Sequence, residues 1–223
     1  MENETINSKE ESKYVISYKT LRIAVGILGI SLPLILILGT LILNNEFPIL
    51  NSISSYAHKR IGNGFVGIMC AVSLFMFSYL GRDFKDNFLG HLAGLFALGI
   101  AFFPNNVENP WTTIPIIHLI SACLFFITLI AFSLWLFPKT DQEILSKQKK
   151  KRNKIFKICG YTMIICIVLI FLYMAWLIKI LPNNGWFQPV FWLESFALLA
   201  FGISWITKGQ LLFRDPKEES EVE

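Results

Sequence analysis

Six long runs of apolar residues alternate with short polar segments along this chain. A helix needs about 20 apolar residues to cross about 30 Å of hydrocarbon, and most of the runs meet that length. Open strands do not cross lipid, because their unpaired backbone groups find no hydrogen-bonding partner there. The pattern therefore predicts an all-α fold: a polytopic membrane protein built as a bundle of six transmembrane helices. The predicted spans are Ile23–Leu43, Ile61–Leu80, Phe88–Phe103, Ile114–Phe137, Ile158–Leu181 and Val190–Thr207.

Basic residues lie mostly on one side of this predicted bundle. The N-terminus, residues 81–87, residues 138–157 and the C-terminal tail share a side, and together they hold 17 of the 20 Lys and Arg residues. The other side holds Lys59, Arg60 and Lys179. Because short loops rich in Lys and Arg stay in the cytoplasm, we expect a multi-pass protein of the cell membrane with both termini cytoplasmic.

The polar ends of the chain are short compared with the apolar middle. We expect one membrane domain, residues 22–208, between a mobile polar segment, residues 1–21, and a mobile acidic tail, residues 209–223. Segments of low hydrophobicity cannot bury enough apolar surface to fold alone. The first apolar run exceeds the core of about 7–15 residues typical of a cleavable signal, so it is expected to remain as the first span.

Composition favours lipid as the main partner. The chain is 54% hydrophobic and 16% charged, whereas soluble domains are about one quarter charged. The net charge of +4 comes from segments that flank the membrane, so no nucleic-acid partner is expected. The basic cluster Lys147–Lys154 either only sets the orientation or also contacts anionic head groups. Membrane lipids are thus expected partners, and protein partners stay open.

Candidate chemistry gathers at the outward ends of three spans. His118 lies near the start of the fourth span, His58 directly precedes the second, and Glu194 lies about one and a half turns into the sixth. Glu194 is the only acid within the predicted spans, where a charged carboxylate costs a few kcal/mol or more. It therefore needs a proton, a wet cavity or a partner. We call the predicted set the outer polar cluster: His58, His118, Glu194, Ser54, Tyr56 and Ser121.

Three interpretations of the outer polar cluster are open. His58, His118 and Glu194, with water as a fourth ligand, match the donor types of a catalytic zinc site, but no HxxxH or HExxH spacing places two ligands on one helix face. No cofactor is therefore assigned. Alternatively, the cluster forms an outward-facing pocket that binds a lipid, a small solute or a proton. In the third interpretation, a His118–Glu194 hydrogen bond joins two helices and contributes about 0.6–2 kcal/mol. No catalytic residue follows from the pattern.

Three short strings carry a family resemblance. They are Ser55-Tyr56 before the second span, Ile117–Ala122 opening the fourth and Phe191–Glu194 opening the sixth. With these strings and its six-span plan, the chain resembles bacterial six-span membrane proteins of unknown function and, more distantly, the DRAM family. The resemblance implies this topology and no known catalytic activity.

A second, partial resemblance concerns Ser54 and His58. Their Ser-x-x-x-His spacing resembles that of the alkaline ceramidase and progestin/adiponectin-receptor superfamily. Those proteins have seven spans and an HxxxH string in the last one, and this chain departs from both features. The resemblance implies zinc-dependent hydrolysis of a lipid amide, which is the alternative to a binding or structural role.

The distribution of basic residues generates a topology prediction. A reporter that works only in the cytoplasm should be active when fused after Gln148 or Glu223, and silent when fused after Asn106 or Asn184, because only the first two positions lie on the Lys- and Arg-rich side. Reporter activity normalised to protein level is the measurement. Activity at Asn106 would reverse the orientation.

Overall fold

Six helices account for most of the chain. The computed structural model describes residues 18–44, 49–81, 83–106, 109–110, 112–140, 144–179 and 185–214, and it contains no strand within them. The helices are α1 (Tyr18–Asn44), α2 (Gly62–Phe77), α3 (Phe84–Phe102), α4 (Thr113–Ala131), α5 (Lys147–Ala175) and α6 (Pro189–Lys208). Shorter elements are the one-turn 3-10 helices Ser54–His58 and Leu177–Lys179, and a π-helical turn, Phe132–Leu136, that continues α4.

Each predicted span overlaps one of these helices, but α5 ends at Ala175, whereas its predicted span runs to Leu181. In the described residues, four helical stretches are long and apolar enough to cross a membrane: Lys19–Leu43, Thr113–Leu136, Lys147–Ala175 and Pro189–Lys208. Helix α2 is apolar but shorter. The prediction of an all-helical membrane protein is confirmed to that extent. The predicted polar ends, residues 1–21 and 209–223, lie mostly outside the described residues.

Helix α5 begins well before its predicted span. The Ser146 side chain accepts the backbone N–H of Lys149 and caps the helix, so the basic cluster Lys147–Lys154 is helical and continuous with the apolar part. Inside this cluster, Lys149 Nζ donates to the carbonyl of Phe137 at 3.0 Å, and buried Arg152 donates to the carbonyl of Phe213 at 2.6 Å. Part of the cluster therefore holds the ends of neighbouring helices together.

The helices pack in the order of the chain, and α6 closes the bundle against α1. Helices α4 and α6 also meet inside, where Ser133 Oγ and Ser204 Oγ form a buried hydrogen bond of 2.7 Å. Below we name the two ends of the bundle by the residues that mark them, the His58 end and the Lys139 end.

An ion-pair network joins the start of α3 to Lys139, which follows the π-helical turn after α4. The Asp83 carboxylate caps α3 by accepting the N–H of Asp86 at 2.9 Å. Lys139 Nζ lies 2.6 Å from the carboxylate of Asp86 and 3.3 Å from that of Asp83. The bond from the Asp86 N–H, assisted by Lys139, holds the pKa of Asp83 below its usual value.

Glycines bring the backbones of α1 and α6 together. A Cβ atom placed on Gly202 would lie 2.5 Å from the carbonyl oxygen of Gly26, and one placed on Gly26 would lie 2.6 Å from the carbonyl oxygen of Gly202. Such close crossings through small residues let helices pack where lipid removes the hydrophobic drive. The crossing joins the first and last helices of the bundle.

Adding one methyl group at this crossing should destabilise the protein. We expect Gly202→Ala to cost about 1–3 kcal/mol, because the backbone of α1 has to move away. The matched control is Gly67→Ala on α2, where an added Cβ meets nothing within 4 Å and Ala favours the helix. Thermal unfolding followed by tryptophan fluorescence in detergent should show a lower midpoint for Gly202→Ala alone. Equal midpoints would contradict the crossing.

Candidate functional site

A cavity lies inside the bundle toward the His58 end. Its volume is about 50 Å³, counted as the space open to the centre of a water molecule. One water needs about 10–15 Å³ on this measure, so the cavity has room for a few waters or a small chemical group. The polar lining comprises Ser54, His118 and Glu194, and aromatic and aliphatic side chains form the remainder.

Glu194 is half-buried at the cavity wall, in the second turn of α6. Its Oε2 accepts the backbone N–H of Ile53 at 2.5 Å. Leu198, four residues further along the same face of α6, also lines the cavity. The carboxylate thus ties the segment before α2 to the last helix, across 141 residues of sequence.

His118 is buried, and its ring is oriented by the backbone. Nδ1 lies 2.8 Å from the carbonyl oxygen of Phe103. A carbonyl only accepts, so Nδ1 carries the proton and donates it, which leaves Nε2 as an acceptor in the neutral ring. Within the described residues, no hydrogen bond or ion pair joins His118 to Glu194. The predicted direct pair is absent, and contact through a bridging water stays a prediction.

The segment of residues 49–58 forms the wall of the cavity at the His58 end. Ile53 and Ser54 line the cavity directly. The hydroxyl of Ser54 lies 3.0 Å from that of Ser52 and accepts a hydrogen bond from Asn105 Nδ2 at 3.3 Å. Both serines are buried. We call residues 49–58 the capping segment.

Tyr56 anchors the capping segment. The side chain is fully buried, its hydroxyl accepts the N–H of Leu50 at 3.3 Å, and its ring lies 6.0 Å from that of Phe191 on α6. Burial raises the pKa of the Tyr56 hydroxyl above its ordinary value, so the residue acts as a neutral support behind the cavity.

The outer polar cluster is thus brought together only in part. His58 is exposed, and its Nε2 contacts the carbonyl of Asn105. Ser121 was expected to share a polar face with His118, but its hydroxyl packs against Gly99 of α3. Ser54, His118 and Glu194 line the cavity, whereas Tyr56, His58 and Ser121 lie beside or behind it.

The candidate zinc ligands do not converge. In the part of the chain that the structure describes, no group of three or more His, Cys, Asp and Glu side chains is placed to hold a metal ion. His58 is exposed and does not line the cavity, whereas His118 and Glu194 do. This arrangement gives no support to a hydrolytic metal centre.

Asn105 is a site residue that the sequence pattern did not single out. Its side chain donates to Ser54, and its carbonyl contacts His58, so it joins the α3–α4 connection to the capping segment. In the sequence it was indistinguishable from an asparagine that merely ends a helix.

Comparison with known proteins returned no match, whether with family models, with curated proteins or with solved structures.

Substitutions at Glu194 test whether the fold is stabilised by the hydrogen bond from the Ile53 N–H to the Glu194 carboxylate. Gln keeps an acceptor for the Ile53 N–H, whereas Leu leaves that buried donor without a partner at a cost of about 1–3 kcal/mol. We therefore expect Glu194→Leu to lower the thermal midpoint and folded yield clearly more than Glu194→Gln. Equal losses in both variants would show that the hydrogen bond does not hold the capping segment.

Proposed function

We propose that this protein crosses the cell membrane six times, with both termini in the cytoplasm, and binds the polar end of a lipid or a small solute in its outward-facing cavity. The skewed distribution of basic residues supports the orientation. Six consecutive helices that pack in chain order, with the shorter α2 between α1 and α3, support the count of six.

The observation that carries the binding function is the mixed lining of the cavity. Glu194, His118 and Ser54 meet there with phenylalanine and aliphatic side chains, and a few polar groups in an apolar concavity are typical of small-molecule sites. An ionisable residue at membrane depth is costly, and such residues commonly mark ligand or ion sites. A purely structural role for Glu194 would need its hydrogen bond to Ile53 but not the empty volume beside it.

The size of the cavity limits what it holds. At about 50 Å³, it has room for a polar head of a few heavy atoms rather than for a whole lipid. A longer ligand therefore needs an opening through which its apolar part extends.

Exposure along α4 indicates where that opening lies. Of the α4 residues that line the cavity, Ala122 and Phe126 are half-buried whereas Phe125 is buried. Helix α3 contributes Ile100 to the lining and meets α4 at the buried Ser121. The exposed edge of the cavity thus lies on α4 at Ala122 and Phe126, on the side away from Ser121.

The next helix on that side is α5, which packs on α4 near the Lys139 end, where Leu134 meets Gly160. Toward the His58 end, the α5 side chains of Ile165 and Val168 are exposed. This supports entry of the ligand from the lipid side, between α4 and α5.

Filling the cavity should displace a bound molecule. Native mass spectrometry of the protein, purified in mild detergent, should show a bound small molecule or lipid that Ala122→Phe loses, because the added ring occupies the cavity. Ile120→Phe is the matched control, since Ile120 lies on the same helix and is exposed. Cooperative thermal unfolding of both variants should confirm that they are folded. An identical adduct in Ala122→Phe, or none in the wild type, would contradict a binding function.

A further inference from the structure

We propose that the cavity takes an organic cation: a membrane-soluble amine whose ammonium group lies beside the carboxylate of Glu194. This inference rests on the proposed binding function and names the chemical class of its ligand.

With Glu194 ionised, two of the three polar groups in the lining are acceptors, and the third, the Ser54 hydroxyl, both accepts and donates. One oxygen of Glu194 receives the Ile53 N–H, and the other receives no hydrogen bond from a described residue. His118 uses its Nδ1 proton on Phe103, so Nε2 of the neutral ring accepts. The Ser54 hydroxyl accepts from Asn105 and shares one proton with Ser52. A wall of this kind is complemented by a hydrogen-bond donor.

The negative charge of the cavity favours a ligand whose hydrogen-bond donor is cationic. No Lys or Arg lines it, and within the described residues the ion pairs belong to Lys139, Asp83 and Asp86 at the opposite end of the bundle. A carboxylate in a low-dielectric interior is costly unless it is paired. A ligand cation supplies the missing charge, whereas a ligand anion is repelled by the carboxylate.

The remainder of the lining fits the same ligand class. The rings of Phe65, Phe125 and Phe126 contribute to the wall, and aromatic faces attract ammonium groups. Leu32 and Leu198 add aliphatic surface for the carbon chain. One carboxylate together with several aromatic rings is an arrangement that recognises an amine better than a sugar, a phosphate or a carboxylic acid.

A neutral hydroxyl head would also satisfy the acceptors, so the test compares three probes of equal chain length. They are hexylammonium, 1-hexanol and hexanoate, added near neutral pH to the purified full-length protein in an uncharged detergent. The measurement is the thermal midpoint as a function of probe concentration, because a ligand that binds the folded state raises it by mass action.

Hexylammonium should raise the midpoint of the wild type in a saturable manner, with an apparent affinity at least about tenfold above that of 1-hexanol, since a charge-assisted hydrogen bond is the stronger kind. Hexanoate should have no effect. Glu194→Gln should reduce the affinity for hexylammonium to that for 1-hexanol. Ala122→Phe should abolish both effects, and Ile120→Phe should leave both unchanged.

Equal affinity for hexylammonium and 1-hexanol, stronger binding of hexanoate, or full retention of hexylammonium affinity in Glu194→Gln would overturn the ammonium assignment. If Glu194→Gln fails to fold, the ranking of the three probes on the wild type decides alone. If hexylammonium does not bind best while Ala122→Phe still removes a native adduct, the ligand class is wrong and the binding function stands. When the adduct is also absent, the binding function fails with it.

Discussion

The hydrogen bond from the Ile53 N–H to the Glu194 carboxylate is the contact on which the His58 end of the bundle depends. It is the point where the capping segment is fixed to the last helix. A second contact between the capping segment and α6, Tyr56 against Phe191, reinforces it, and Asn105 against Ser54 adds a contact from the α3–α4 connection. Without these bonds, the capping segment would be held to the bundle by few contacts, and the cavity would lose the wall that contains Ser54.

Helix α6 combines this polar anchor with a close backbone crossing. Glu194 and Gly202 are eight residues apart, so they lie about two turns, or about 12 Å, from each other along the helix. At Gly202 the backbone touches α1, which fixes the position of α6. A helix fixed in this way holds the Glu194 carboxylate at a constant distance from the capping segment.

The sequence was a good guide to the helices because apolar runs have few stable alternatives in lipid. It was weaker at their ends. Helix α5 begins eleven residues before its predicted span, at Lys147 rather than Ile158, because Ser146 caps a basic segment that has good helix propensity. Hydropathy records where a helix enters apolar surroundings, whereas capping decides where it begins.

The site was predictable only where burial of a polar group is expensive. Glu194 and His118 stood out because each interrupts an apolar run, and both line the cavity. Ser121 lies three residues from His118, about 60° round the helix, and its hydroxyl packs against α3 instead of lining the cavity. His58 and Asn105 lie in connections, where no periodicity fixes the direction of a side chain, so their contact could not be derived from the pattern.

In the proposed function, the capping segment and the half-buried edge of α4 together define the route of the ligand to the cavity. From the His58 end, Ile53 and Ser54 form the wall and are held by bonds from α6 and from the α3–α4 connection. On the side of α4 away from Ser121, the wall is only half-buried at Ala122 and Phe126. A ligand that enters there comes from the lipid, so it must partition into the membrane before it meets Glu194. An alkyl amine meets both requirements, because its chain dissolves in lipid and its charge is compensated only once it reaches the carboxylate.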